Sequence, residues 1–258
     1  MHPHDVARPE PARPEPSRSG TLLRFTAAER SIHHVTALLM LVCLATAGML
    51  YLPMLSTLVG HRELLKTVHV WCGFALPVPI VLGLASRAFR TDVRRLNRFA
   101  PHDWEWLKRG DRRAVRRGRG VLPVGKFNAG QKLNAAFTAG AILVMLGTGE
   151  VLTFPGPWPD RWRTGATFVH DWLFVVIVLV VAGHLWEAFR DPGALGGMLT
   201  GRVDRGWAAR HHAGWADAVQ RIAPRAPDGP SGGGTGGTAT GASGDGGPEF
   251  AKRRPGMS

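Results

Sequence analysis

Four histidines lie within the long apolar stretches of the chain, where few polar residues occur. His33 opens the first stretch, His69 opens the second, and His170 and His184 bracket the fourth. An imidazole in hydrocarbon is costly, so each of these residues indicates a functional site. Together they offer two pairs of nitrogen ligands at two depths, which predicts two stacked haems. The alternative role is hydrogen bonding between helices.

The spacing within the fourth stretch supports a ligand role. His170 and His184 are 14 residues apart, which corresponds to about 21 Å of helical rise and close to four turns. One helix therefore presents both rings on nearly the same face. Two imidazoles on one iron leave no coordination position open for oxygen, which suits electron transfer.

Four apolar runs must position these rings, and they cover residues 32–52, 67–85, 133–154 and 166–186. Each has about 20 residues, enough to cross a ~30 Å hydrocarbon core as a helix. A soluble bundle with four buried helices would need a polar shell that the sequence lacks. We therefore predict an all-α integral membrane fold, a four-transmembrane-helix bundle followed by a C-terminal amphipathic helix. Pro77 and Pro79 should kink the second helix.

The net charge of +13 is unevenly distributed, since thirteen of the 32 Lys and Arg residues lie between positions 86 and 127. The positive-inside rule then places this central loop and both termini in the cytoplasm of a bacterial cell with the chain in its inner membrane. The basic surface also suits anionic membrane lipid, and it does not indicate nucleic acid. With this topology, matching depths pair His69 with His170 on the outer side and His33 with His184 on the cytoplasmic side.

Other residues limit the possibilities. Because the sequence has no C-x-x-C-H motif, a covalently attached c-type haem is excluded. We expect the two cysteines, Cys43 and Cys72, to differ in depth and not to pair. The histidines outside the spans should be solvated or interfacial: His61, His102, His211 and His212. Residues 1–22 form a Pro-rich arm and 223–258 a Gly-rich tail, both predicted to be disordered, around a membrane domain at 23–222.

A polar segment precedes the third run, with the sequence VGKFNAGQKLN at residues 124–134. Its small residues and amides, including Asn128, Gly130 and Gln131, fall at the cytoplasmic edge of the membrane. A quinone needs an apolar approach and a few donors to its carbonyl oxygens. The segment could equally be a helix entry that Asn128 caps, and the residues alone do not separate these two interpretations.

Several of these pieces are similar to one known family. They are ER-SIHH, K-TVHVWCGF, VGKFNAGQK, the Thr-Gly pair at 148–149, FVHDWLFVVIVLVVAGHLWEAF and the stretch GALGGMLTGRVDRGWAARHHAGW. Over about residues 22–220 the chain resembles the cytochrome b (gamma) subunit of membrane-bound respiratory formate dehydrogenase. The resemblance implies two b-type haems, with His33 and His184 holding one and His69 and His170 the other. It also implies quinone reduction near Asn128, Gly130, Gln131 and His184.

The resemblance has two departures and further implications. His34 stands where the family usually has an aromatic residue, and Glu150 is unusual within the third helix, where it faces Arg161 or Arg163 or accepts protons. The implied partners are an iron–sulfur (beta) subunit and a molybdenum or tungsten catalytic (alpha) subunit, with menaquinone or ubiquinone as acceptor. Since the chain itself carries no catalytic constellation, substrate oxidation would occur on a partner. The alternatives are a cytochrome subunit of a hydrogenase or thiosulfate-type reductase, and a haem-free membrane anchor.

Overall fold

The computed structural model describes residues 20–52, 54, 57, 60–109 and 122–222. Four of its helical segments are long and apolar enough to cross a membrane, as the sequence predicts. They are α1 (Ala27–Tyr51), the pair α2 (Arg62–Ala75) and α3 (Val78–Gly83), α6 (Ala129–Thr153) and α7 (Asp160–Arg190). Many of their large apolar side chains are exposed, as expected of surfaces that face lipid.

The second span is interrupted at Pro77, as predicted. Helix α2 ends at Ala75, and Pro77 is the N-cap of α3. The freed groups are partly satisfied locally, because the Leu76 amide donates to the Gly73 carbonyl at 3.3 Å and the Val81 amide to the Pro77 carbonyl at 2.9 Å. The proline therefore divides the span into two helices without leaving the turn between them unbonded.

The spans pack chiefly as sequence neighbours. Helix α1 lies against α2, and α6 lies against α7, while α2 also contacts α6. A small apolar cluster links three of them through Cys43, Leu76 and Ile142, with Cys72 packed against it. Both cysteines are free, as predicted. Their expected separation in depth is wrong, because Cys72 in α2 packs against the same apolar cluster as Cys43 in α1.

The remaining elements gather at one end of the bundle, in a region here called the polar cap. It comprises a two-stranded sheet and short helices: β1 (Thr21–Leu23), α4 (Arg87–Leu96), α5 (Pro101–Lys108), α8 (Pro192–Thr200), β2 (Arg202–Asp204), α9 (Arg205–His211) and α10 (Ala213–Ile222). The strands are antiparallel, with Leu22 opposite Val203. The C-terminal amphipathic segment is thus divided into three helices and a strand.

The polar cap has a core of its own. It is formed by six buried residues from both ends of the described chain: Leu22, Val203, Trp207, Ala208, Trp215 and Ala216. Residues 20–22, assigned to a disordered arm from the sequence, are instead held in this core and its sheet. The rest of the predicted arm, residues 1–19, and the predicted tail at 223–258 lie outside the described residues.

Candidate functional site

The histidine rings form two facing pairs. The centroids of His69 and His170 are 6.2 Å apart, and those of His33 and His184 are 6.3 Å apart. The neighbours expected from depth alone are therefore the neighbours found. Because His170 and His184 lie on one continuous helix, α7, the pairs are separated by about 21 Å along its axis.

Polar groups of the neighbouring helices hold the His69–His170 pair. The Nδ1 atom of His69 lies 3.0 Å from the Thr46 hydroxyl and 3.1 Å from the Cys43 carbonyl. The Nδ1 atom of His170 lies 2.8 Å from the Thr148 hydroxyl. Each ring is therefore bonded through one nitrogen and keeps Nε2 for another partner. The sequence offered no signal for Thr46, while Thr148 was part of the Thr-Gly pair quoted above.

The other pair has a different environment. No hydrogen bond to the rings of His33 or His184 is found within the described part of the chain, and His184 is exposed at the bundle surface. His34 is also exposed, and its ring is packed edge-on to that of His33 at 5.6 Å. It is the His33 ring that faces His184. The geometry therefore favours His33 over His34, the two candidates between which the sequence did not decide.

Imidazole pairs of this kind can bind a metal between them. No cluster of three or more His, Cys, Asp or Glu side chains suited to a metal ion occurs among the described residues. Each pair can provide two protein ligands to a metal. This suffices for a metal whose other coordination positions are filled by a macrocycle.

The polar segment before α6 is a helix cap. The Asn128 side-chain oxygen accepts from the Gln131 amide at 2.9 Å, and the Gln131 side-chain oxygen accepts from the Asn128 amide at 3.1 Å. This reciprocal capping box starts α6. Neither side-chain NH2 group has a partner among the described residues, so both remain available as donors. Gly130 allows close packing, since a Cβ there would lie 3.1 Å from the Trp106 ring.

Next to this segment lies a buried ion cluster in the polar cap. The Lys126 ammonium donates to the Glu29 carboxylate at 3.0 Å and also contacts the Asp92 carboxylate. All three residues line a cavity of about 330 Å³ at the cap surface. Burial, and secondarily the hydrogen bond to Glu29, raises the pKa of Asp92 to about 6. Two carboxyl groups share one ammonium here, which disfavours the ionised form of Asp92.

Two further buried residues join the ends of the chain. The Arg24 guanidinium donates to the Lys126 carbonyl and to Nε2 of His212, both at 2.9 Å, and it lies 4.9 Å from the Trp207 ring centre. His212 donates through Nδ1 to the Gly125 carbonyl at 2.7 Å. Burial, with Arg24 second, lowers the pKa of His212 to about 3. Burial also lowers the pKa of Arg24, to about 10.

The expectation that His212 is solvated or interfacial is therefore wrong. It is 2% exposed, because three segments distant in sequence close over it. His211 is half-buried against the Trp207 ring, with centroids 5.0 Å apart. His102 is half-buried, 3.9 Å from the Asp103 carboxylate, and His61 is exposed at the start of α2. None of these four is near either histidine pair.

Glu150 does not form the expected ion pair. Its side chain is exposed on α6, and Arg163 pairs instead with Asp160 at 3.2 Å. No salt bridge of Glu150 with either Arg161 or Arg163 occurs in the described part of the chain.

Comparison with known proteins gives a consistent set of matches. The model of a family described as prokaryotic cytochrome b561 matches residues 24–201. The cytochrome b556(Fdn) subunit of the nitrate-inducible formate dehydrogenase of Escherichia coli K12 is 24% identical over 213 residues, covering 80% of this chain and 94% of the relative. The cytochrome b556(fdo) subunit of formate dehydrogenase from the same organism is 24% identical over 217 residues, covering 81% and 98%.

Proposed function

This chain belongs to the prokaryotic cytochrome b561 family, and on that basis we propose that it is the di-haem cytochrome b subunit of a formate dehydrogenase complex. It is a multi-pass protein of the bacterial inner membrane, related to formate dehydrogenase cytochrome b subunits. In the proposed role it carries electrons from an iron–sulfur subunit to the quinone pool. Haem b supplies a one-electron carrier for this transfer.

The separation of the two ring pairs carries the proposal. Two metal–nitrogen bonds of about 2.0 Å, with about 1.2 Å from each nitrogen to its ring centre, place coordinated imidazole centroids about 6.4 Å apart when the two nitrogens lie on opposite sides of the metal. The observed centroid separations are 6.2 and 6.3 Å. The residues thus fit two haems, with His69 and His170 as axial ligands of one and His33 and His184 of the other.

The His33–His184 pair and the segment before α6 suit a quinone site. The side-chain oxygens of Asn128 and Gln131 accept from each other's backbone amides. Both side-chain NH2 groups are therefore left without a partner among the described residues. These two groups can donate to a quinone carbonyl, and Gly130 supplies backbone between them. His184 is exposed on α7, and we include it among the residues around the quinone. Menaquinone or ubiquinone satisfies this chemistry.

The names of the relatives support the choice of partners. Both are subunits of formate dehydrogenases, and the chain itself carries the electron-transfer residues rather than a site for oxidising a substrate. We therefore place formate oxidation on a molybdenum or tungsten alpha subunit and the relay to the membrane on an iron–sulfur beta subunit. With the topology predicted above, the partners deliver electrons to the His69–His170 side.

The test is the haem content of the complex purified through a tag on this chain. Wild-type complex should contain two haems b per chain, both reduced by formate. His184→Ala removes one ligand of one pair, so it should halve the haem-to-protein ratio and abolish quinol formation with formate as donor.

His34→Ala is the matched control, because His34 neighbours His33 but does not face His184. It should keep both haems. A dithionite-reduced spectrum that is unchanged in His184→Ala, or a wild-type complex without haem, would overturn the proposal. Co-purification with a hydrogenase or a thiosulfate-type reductase would overturn the choice of partner alone.

A further inference from the structure

The two histidine pairs differ in what their second ring nitrogens contact. Both rings of the His69–His170 pair are hydrogen-bonded through Nδ1, to Thr46 and Thr148. Neither ring of the His33–His184 pair makes such a bond within the described residues. The hydroxyls come from two different helices, α1 and α6, so each ring of this pair has its own threonine partner.

The partners of the hydroxyls fix which atom donates. Thr46 Oγ1 lies 2.7 Å from the Val42 carbonyl, and Thr148 Oγ1 lies 2.8 Å from the Val144 carbonyl. A hydroxyl has one proton, and a helix carbonyl can only accept it. Each threonine oxygen is therefore left to accept from its histidine. The Cys43 carbonyl, 3.1 Å from Nδ1 of His69, requires the same direction.

Both imidazoles thus carry their proton on Nδ1 and present an unprotonated Nε2. A hydrogen bond donated from the second nitrogen fixes the orientation of a ligating histidine and raises its basicity. A more basic axial ligand stabilises the oxidised form of an iron centre, and hydrogen bonding around the cofactor is one of the means by which a protein sets its reduction potential.

We propose that Thr46 and Thr148 are positioning residues that lower the reduction potential at the His69–His170 pair relative to the His33–His184 pair. This inference rests on the proposed haem ligation. Its consequence is a direction: electrons are favoured to pass from the threonine-bonded pair to the His33–His184 pair. Two hydroxyl groups thereby account for a difference in reduction potential between the two bis-histidine sites.

The test is a redox titration of the haems in the intact complex, with Thr46→Val and Thr148→Val. Valine keeps the shape and removes the hydroxyl acceptor; at His69 the Cys43 carbonyl, 3.1 Å from Nδ1, remains as a second acceptor. The lower-potential wave should therefore rise in each variant. For Thr148→Val the rise should be about a tenfold change in the ratio of oxidised to reduced haem, or about 59 mV for one electron, and for Thr46→Val it should be smaller. The higher-potential wave should stay unchanged. The low-spin ferric resonance of the lower-potential haem should shift as well.

Two further sets of variants separate tuning from damage. Thr46→Ser and Thr148→Ser restore a hydroxyl and should return the potential towards the wild-type value. Thr138→Val is the matched control, because Thr138 is a half-buried threonine of α6 for which no histidine partner is found among the described residues, and it should move neither wave. If a valine variant loses haem, the serine variant at that position is the test. It should contain both haems, and a serine variant that also lacks haem would contradict the proposal.

The inference is overturned if both valine variants retain two haems with unchanged potentials, or if the higher-potential wave moves instead. These results would leave haem ligation by the four histidines intact. Absence of haem from the wild-type complex would be a different result, since it would remove the proposed function itself.

Discussion

At the scale of single residues, His212 shows how a polar group can become part of a core. It is buried, accepts from Arg24 through Nε2 and donates to the Gly125 carbonyl through Nδ1. Burial and the Arg24 charge oppose protonation, which lowers the pKa of His212 to about 3. The neutral ring therefore joins the N-terminal strand region, the segment before α6 and the C-terminal helices.

This burial predicts a pH-dependent stability. The unfolded chain binds a proton at His212 near pH 6.5, whereas the folded chain does so only near pH 3. The stability due to the neutral ring is therefore fully present above pH 6.5 and is lost as the pH falls towards 3. Each pH unit in this window should lower the free energy of unfolding by at most about 1.4 kcal/mol.

The measurement is the thermal midpoint of the purified complex at several pH values, for wild type and for His212→Gln. The variant lacks the titrating ring and should lose less stability between pH 6.5 and 5. The difference between the two chains removes the contribution of Asp92, whose raised pKa acts in the opposite direction. Parallel pH profiles for the two chains would contradict the assignment.

The residue types predicted the histidine pairs but not the groups that hold them. Four imidazoles at two matched depths indicate a paired site because few other arrangements justify their cost in a membrane. Thr46 and Thr148 give no such signal, since threonines in membrane helices commonly bond to their own backbone. Arg24, Lys126 and His212 were missed for another reason, namely that their contacts join segments far apart in sequence.

At the scale of elements, the apolar runs and the prolines determine where most of the membrane-spanning helices lie and where the second span breaks. Helix α1 begins at a capping box of Thr26 and Glu29, and α6 at one of Asn128 and Gln131. The strands β1 and β2 were not foreseen because three residues are too few to show a periodicity. Their pairing depends on where α8 ends, which only the folded chain determines.

Gly201 joins α8 to β2 and allows the chain to contact the backbone of Arg24 and Phe25. Its φ is +84°, and its carbonyl accepts from the amides of Arg24 and Phe25 at 2.7 and 3.1 Å. A Cβ at this position would lie 2.5 Å from the Phe25 carbonyl oxygen. Substitution therefore combines a left-handed backbone with a clash against the backbone of the N-terminal segment.

We expect Gly201→Ala to lower the free energy of unfolding by more than the about 1–2 kcal/mol of the left-handed conformation alone. Gly60→Ala is the matched control, because Gly60 has a φ of +70° and a Cβ there would meet nothing within 4 Å. Thermal midpoints of the two variants measure the difference. Equal losses would show that the contact with Phe25 contributes nothing.

At the scale of the whole molecule, the polar cap collects both ends of the described chain and the described parts of the central loop, residues 87–109 and 122–128, on one side of the bundle. The contacts that show this are Leu22 with Val203, Arg24 with the Lys126 carbonyl, and His212 with the Gly125 carbonyl. Four spans require the two chain ends to lie on the same side, so the observed packing and the predicted topology agree. The basic residues concentrated between positions 86 and 127 predict that this side is the cytoplasmic one.

The predicted orientation can be tested with reporters that are active on only one side of the membrane. Because the positive-inside rule places this end in the cytoplasm, green fluorescent protein fused after Ser258 should fluoresce and alkaline phosphatase fused there should be inactive. Phosphatase inserted between Pro155 and Pro159, in the turn between α6 and α7, should be active in the same cells and serves as the control. The reverse pattern would contradict cytoplasmic termini, and it would also place the His33–His184 pair and its amide donors on the outer side.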